Sequence, residues 1–134
     1  IFSRDTASEE QKGISDLEYQ IGFSMAEKCI AQNPDITALV GINDMVSYGI
    51  ADGLTSCGKK IPEEYSICSF DNVYPSRFST ISLTTVDYCI AERGQKAAQL
   101  VIDKIKKTAD FNSITRIEYK ISLKERSSSG KARN

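Results

Sequence analysis

Between Asp35 and Asn72 the sequence reads strand, helix, strand, and no other stretch constrains the fold as strongly. The apolar run Ile36-Thr37-Ala38-Leu39-Val40-Gly41-Ile42 breaks at Asn43-Asp44, and a helical segment follows from Met45 to Cys57. Gly58-Lys59-Lys60-Ile61-Pro62 turns the chain, and Tyr65-Ser66-Ile67-Cys68-Ser69-Phe70 ends at Asp71-Asn72. An apolar run repeated after a helical crossover is the pattern of a βαβ unit. Both runs are nearly continuous in apolar character, as expected of strands covered on two faces. The predicted class is α/β with a parallel sheet. In open sheets of this class, ligands bind in the crevice outside the carboxyl ends of the strands. Asn43, Asp44, Asp71 and Asn72 all fall there.

The bulk properties exclude several kinds of function. With 134 residues the chain has enough length for one core. Seventeen basic residues against 18 acidic ones leave a net charge of -1, and so no global electrostatic reason to bind nucleic acid. No apolar run approaches the ~20 residues of a membrane span, the N-terminus lacks a signal-peptide pattern, and a cytoplasmic location is the expectation. Histidine is absent, which removes Ser-His-Asp and Cys-His catalysis and the commonest zinc nitrogen ligand. Cys29, Cys57, Cys68 and Cys89 form no C-x-x-C pair and sit in apolar contexts, so they are expected to be buried, reduced thiols. No catalytic residue, metal site or cofactor is expected.

Taken in order, residues 1 to 14 read as the end of a strand and a polar loop. A helix is predicted from Asp16 to Gln32, with Leu17, Ile21, Met25 and Cys29 as its core-facing stripe. Asn33-Pro34-Asp35 ends it. In the second helix Met45, Val46, Ile50, Ala51 and Leu54 supply the buried side, and Gly58 is a natural residue just past its C-terminus. Asp44 is placed as N-cap or first-turn acid, a reading preferred over secondary ligand contact. Residues 73 to 80 form a loop of the kind that borders a cleft. Ile81 to Val86 is a short β-type run, and Asp87 can cap a helix to Lys107 striped by Ile90, Gly94, Ala97, Ala98, Val101, Ile102 and Ile105. Ile117 to Leu123 alternates with period two, as an edge strand does. From Lys124 to Asn134 the tail is polar and expected to be mobile.

Six segments in register carry a resemblance. They are Asn33-Pro34-Asp35-Ile36-Thr37-Ala38-Leu39-Val40, Asn43-Asp44 with Tyr48-Gly49-Ile50-Ala51, Gly58-Lys59-Lys60-Ile61-Pro62-Glu63-Glu64, Ser69-Phe70-Asp71-Asn72, Leu83-Thr84-Thr85-Val86, and Leu123-Lys124-Glu125-Arg126-Ser127-Ser128. Together they resemble the C-terminal part of the effector-binding region of LacI/GalR-type bacterial transcriptional regulators. Three positions depart from the usual pattern: Ser69 stands where glycine precedes the F-D word, Ile81 where proline precedes L-T-T, and Tyr88-Cys89 where glutamine-proline is frequent.

The resemblance implies a Rossmann-like lobe of a periplasmic-binding-protein-like type I fold, with most of the N-terminal lobe outside this chain. By the same resemblance, residues 1–123 are expected to be the C-terminal portion of an effector-binding and dimerisation domain. Within them, the helix at 87–107 and the strand at 114–123 are expected to belong with the other lobe. It further implies a small-molecule effector, a sugar or sugar derivative, and a homodimer. Operator DNA would be read only by a helix-turn-helix domain absent from this chain. Asp71 maps to the aspartate that takes ligand hydroxyls, Asn43 to a residue near the ligand, and Leu17 to a residue that packs on it. The chemistry of the residues agrees, since a carboxylate accepts two hydroxyl donors at once and an amide offers donor and acceptor. For Asp71 the competing reading is a loop aspartate satisfying local N–H groups. Two other functions compete: an extracytoplasmic sugar-binding protein of the same fold, and an α/β enzyme using Asp44 and Asp71 as a carboxylate pair.

Overall fold

Helix α1 (Arg4–Gln32) leads into strand β1 (Ala38–Val40), helix α2 (Asp44–Ser56) and strand β2 (Ser66–Phe70). Strand β3 (Thr84–Asp87), helix α3 (Ile90–Ile105) and strand β4 (Ser122–Lys124) complete the chain. These elements are seen in a computed structural model that describes residues 4–73, 81–106 and 112–132, with side chains from residue 13 onward. The four strands form one sheet in the order β1-β2-β3-β4. β1 pairs β2 and β2 pairs β3 in parallel, while β4 runs antiparallel to β3. The βαβ unit expected between Asp35 and Asn72 is present, and β4 lies at an edge.

The core is small. Val46, Ile50, Ala51 and Leu54 of α2 meet Ala26 of α1, Ile67 of β2 and the flanking Tyr65 and Leu83. α1 lies on α2 through their smallest residues. A Cβ on Gly22 would come 2.0 Å from the Val46 carbonyl oxygen, and one on Gly49 would come 2.0 Å from that of Tyr19. Gly53 meets Ala26 in the same seam. Across it, the Tyr19 hydroxyl donates to Asp52 Oδ2 at 2.6 Å. That bond, with burial and the Asp52 charge, pushes the Tyr19 hydroxyl above its ordinary pKa.

This backbone contact corrects the expected core face of α1. Gly22 and Ala26 are buried, whereas Leu17, Ile21 and Met25 are exposed. Successive helical residues are 100° apart, so a face chosen for its large side chains misses a face chosen for closeness. Ile21, Met25 and Cys29 instead line an apolar groove of about 250 Å³ with Val40 and Ile42 at the β1 edge. α1 also begins at Arg4 rather than Asp16, so residues 4–14 are helical and not a loop. Glu9, Glu10, Gln11 and Lys12 are good helix formers, and Gly13 is tolerated because nothing crowds it. The expected strand end at residues 1–3 lies outside the described residues, as does the loop at 74–80.

Around Ser128 the polar tail is held by the sheet, where mobility was expected. Ser128 is fully buried between the starts of β2 and β3. Its hydroxyl donates to the Ile67 carbonyl at 2.6 Å and accepts from the Thr84 N–H at 2.8 Å. Its own N–H and carbonyl bond Ser82 and Ile67. Those bonds occupy backbone groups ahead of Thr84, and β3 accordingly starts there rather than at Ile81. β4 is shorter than the alternating run at 117–123 because its ladder with β3 ends at the pair Asp87 and Ser122. The cysteines are free, but none is buried: Cys57 is exposed and the other three are half-buried.

α3 has no buried residue. Its apolar stripe faces outward, with Ile90 51% and Ile105 72% exposed. The helix begins at Ile90, and the N-cap position falls to Cys89, not to Asp87.

The seam between α1 and α2 predicts the effect of Gly49→Ala. Alanine gains about 1 kcal/mol of helix propensity, but overpacking against a backbone carbonyl costs about 1–3 kcal/mol. Net destabilisation is expected in denaturant unfolding, and a stabilised Gly49→Ala chain would contradict the contact.

Candidate functional site

The carboxyl ends of β1, β2 and β3 lie along one edge of the sheet, and the polar residues that follow each strand meet there. After β1, Asn43 adopts an extended backbone and caps α2: its Oδ1 accepts from the Val46 N–H at 2.9 Å. The capping role considered for Asp44 therefore belongs to Asn43. The other end of the Asn43 amide donates to Glu18 Oε1 of α1 at 2.8 Å.

Asp44, in the first turn of α2, is fully buried. One carboxylate oxygen accepts from the Val73 N–H at 2.9 Å, and the other from the Thr85 hydroxyl at 2.8 Å. The helix N-terminus favours its charge. Asp44 thus joins α2 to the segment after β2 and to β3, with both carboxylate oxygens bonded within the protein.

Asp71 is the opposite case. It follows β2 with φ at 106°, and Asn72 follows with φ at 55°, two consecutive non-glycine residues on the left-handed side. The Asp71 N–H donates to the Val86 carbonyl at 3.0 Å. The Asn72 N–H lies 3.3 Å from Thr85 Oγ1. With the Val73 N–H on Asp44, three successive amides are turned into the protein. Among the described residues, no hydrogen-bond donor meets the Asp71 carboxylate. Burial, then the nearby charges of Asp44 and Glu18, raise its pKa above the ordinary carboxylate value. The local-cap reading of Asp71 has no geometric support here.

Asp71 borders a cavity of about 380 Å³ with Asn72, Val73, Asp87 and the first turn of α3, Ile90 to Glu92. Asp87 accepts from the Cys89 N–H at 2.8 Å and from Asn72 Nδ2 at 3.0 Å, and Lys124 Nζ lies 3.7 Å away. The Cys89 bond first, helped by Asn72 and Lys124, holds its carboxyl below the usual range despite partial desolvation. Aromatic rings extend the rim: Phe70 stacks on Tyr88 with centroids 6.0 Å apart. The Arg93 guanidinium lies 5.9 Å from the Tyr88 ring and 5.4 Å from that of Tyr119. Tyr88, one of the departures noted above, thereby has a packing role at the rim.

A second departure is also accounted for. Ser69 is buried, and its Oγ is 2.9 Å from that of Ser47, which is equally close to the Asn43 carbonyl. Gly41 makes room, since a Cβ there would meet Ser47 Oγ at 2.0 Å. Leu17 lies one residue before Glu18 and is 61% exposed, so it offers an apolar surface beside Asn43's partner without enclosing anything. Glu18, Asn72 as an anchor, and Arg126 were not singled out as site residues. Glu18 is 25 positions from Asn43 and Arg126 is 54 from Asn72, with no local pattern to connect them. Among the described residues no three His, Cys, Asp or Glu side chains gather as a metal ion would need.

An α/β lobe with its polar residues at the carboxyl edge of a parallel sheet is the architecture of a cleft-type small-molecule binder. Residues 2–129 match the periplasmic binding protein-like domain family, and the chain belongs to it. It is 30% identical over 89 residues to the HTH-type transcriptional repressor PurR of Mannheimia succiniciproducens, covering 66% of this chain and 27% of that protein. It is 25% identical over 109 residues to PurR of Pasteurella multocida, covering 81% and 33%. A LacI-family regulator from Enterococcus faecium, solved with bound ribose, superposes with a TM-score of 0.74 at 28% identity over 83% of this chain and 40% of that one. The similarities run to LacI-family transcriptional regulators, and the chain spans about a third of the length of the curated relatives it matches. No helix among the described residues is long and apolar enough to cross a membrane.

The electrostatics of Asp71 yield a prediction with a definite sign. A folded-state pKa raised above the unfolded value means that protonated Asp71 stabilises the fold at low pH. That contribution is lost as pH rises through the folded pKa. At neutral pH the ionised carboxylate is therefore a liability. Asp71→Asn, which keeps a side chain tolerant of left-handed backbone, is expected to leave the thermal midpoint at pH 7 unchanged or raised, with the difference shrinking on acidification. A lowered midpoint at pH 7 would show that the carboxylate is structural.

Proposed function

We propose that this chain is the small-molecule effector-binding and dimerisation region of a bacterial, cytoplasmic DNA-binding transcriptional regulator, with a sugar or sugar derivative as effector and no enzymatic activity. The observation that carries the proposal is the Asp71 carboxylate. It is held by an unusual backbone, lacks a donor within the described residues, and stands at the same carboxyl edge of the parallel strands as Asn43. A ligand with adjacent hydroxyls supplies the two donors that Asp71 lacks. The free hydrogen of the Asn43 amide can serve a ligand oxygen, and Leu17 offers an apolar surface. The ribose bound by the Enterococcus faecium regulator supports the choice of ligand class. DNA contact is assigned to a helix-turn-helix domain outside this chain. The helix at 87–107 and the strand at 114–123 are assigned to the second lobe, in keeping with the exposure of α3.

A thermal-shift screen of D-ribose, other mono- and disaccharides, sugar phosphates and purines tests the effector. A ligand at a hundred times its dissociation constant stabilises by about 2.7 kcal/mol. Losing a hydrogen bond to a charged group removes about 1.5–3 kcal/mol, so Asp71→Asn should weaken the hit roughly tenfold to a hundredfold. Hydroxyl donors favour the ionised carboxylate, and affinity should therefore rise with pH through the Asp71 titration and then level off. A hit indifferent to both Asp71→Asn and pH removes Asp71 from the site.

For self-association of this chain taken without the second lobe, the support is the outward stripe of α3, which includes Val101, Ile102 and Ile105. Light scattering is expected to give a dimer for this chain and a monomer for Ile102→Glu. A monomeric parent chain would sink the assignment.

A further inference from the structure

The turn that carries Asp71 does not hold itself. Two consecutive residues with positive φ are strained unless the surroundings over-determine them, and the backbone bonds of Asp71, Asn72 and Val73 fix only the main chain. The Asn72 side chain supplies the remaining anchors. Its Oδ1 accepts from Arg126 Nη2 at 2.5 Å, and its Nδ2 donates to Asp87 Oδ2 at 3.0 Å. The amide thus lies between a cation and an anion with its dipole aligned to both. Reversing it would set NH2 against the guanidinium and oxygen against the carboxylate, so the surrounding charges dictate its orientation.

Arg126 is itself fixed. Nη1 donates to the Leu83 carbonyl at 2.6 Å, and its backbone N–H donates to Thr84 Oγ1 at 2.9 Å. The side chain reaches from the residue pair after β4, past the start of β3, to the turn after β2. Its two acceptors lie on different segments, a span that the forked guanidinium meets and a single ammonium does not. Neither acceptor is a carboxylate, so the pairing is no ordinary surface salt bridge.

We propose that Arg126, acting through Asn72, is a positioning residue for ligand: it fixes the left-handed turn that aims the Asp71 carboxylate, and it fastens that turn to the segment after β4. The proposal rests on the effector-binding reading, but the geometry of the turn can be tested without a ligand.

Two variants separate positioning from simple stability. Asn72→Gly removes both anchors while tolerating the backbone and leaving the charge unchanged. Arg126→Lys keeps the charge and loses one of the two acceptors. The Asp71 carboxyl titration, followed by carbon NMR in the ligand-free chain, reports whether the group stays partly buried and close to Asp44 and Glu18. In both variants it is expected to move down toward the ordinary carboxylate value, with a cooperative thermal transition retained. Affinity for D-ribose, or for the sugar returned by the screen, is expected to fall at least tenfold. If Asn72→Gly fails to fold, Arg126→Lys carries the test. A folded variant in which Asp71 titrates as in the parent chain overturns the proposal. Absence of any sugar binding by the parent chain overturns the sensor reading alone and leaves the titration result to decide this one.

Discussion

The buried carboxylate of Asp44 is the interaction on which the site edge depends. It is the point where α2, the segment after β2, and β3 are joined by two bonds to one side chain. Burying a carboxylate is tolerable only when its lone pairs are met, and here the Val73 amide and the Thr85 hydroxyl meet them at the positive end of a helix. Each bond to a charged acceptor contributes about 1.5–3 kcal/mol. The larger effect is geometric. With Asp44 in place, Val73 cannot leave α2, and the turn at Asp71 and Asn72 is pinned from its downstream side.

Two aspartates at the same edge consequently have opposite fates. Asp44 uses its carboxylate oxygens within the fold, while no donor among the described residues meets Asp71, whose carboxyl is pushed up by burial and then by the charges of Asp44 and Glu18. Under the proposed function, ligand donors relieve what folding imposes on Asp71, and occupancy is then tied to stability. The ionised form then couples the site to pH in the direction opposite to that of Asp87, whose carboxyl is already satisfied and held low. The enzyme reading of Asp44 and Asp71 as a matched pair fails on this asymmetry, because one member is sealed inside the protein.

How much could be read from the residues alone follows from the range of each interaction. The βαβ unit, the ends of α2 and the placing of Asn43 and Asp71 at the strand ends depend on local periodicity and local caps, and these were legible. The burying face of α1 was not, because closeness of backbones selects Gly22 and Ala26 over the more apolar Ile21 and Met25. The order in the tail was hidden for a similar reason. Ser128 looks like a solvated serine until Ile67 and Thr84, 61 and 44 positions away, supply its partners. At the site, Glu18 and Arg126 escaped because their bonds cross the whole fold.

The same distinction separates the two kinds of apolar surface left open. The stripe of α3 was legible by period, and among the described residues nothing buries it. Its first turn nevertheless has specific ties: the Cys89 N–H rests on Asp87, the Tyr88 ring lies on Phe70, and Arg93 sits between Tyr88 and Tyr119. Those contacts fix the root of the helix beside Asp71 while its length stays uncovered. The far end of the helix is tied as well, since Lys104 Nζ donates to the Ser113 carbonyl at 2.8 Å. Polar bonds and ring contacts therefore place α3 at both ends, while its apolar stripe adds nothing to the described core, so the helix is positioned without being buried.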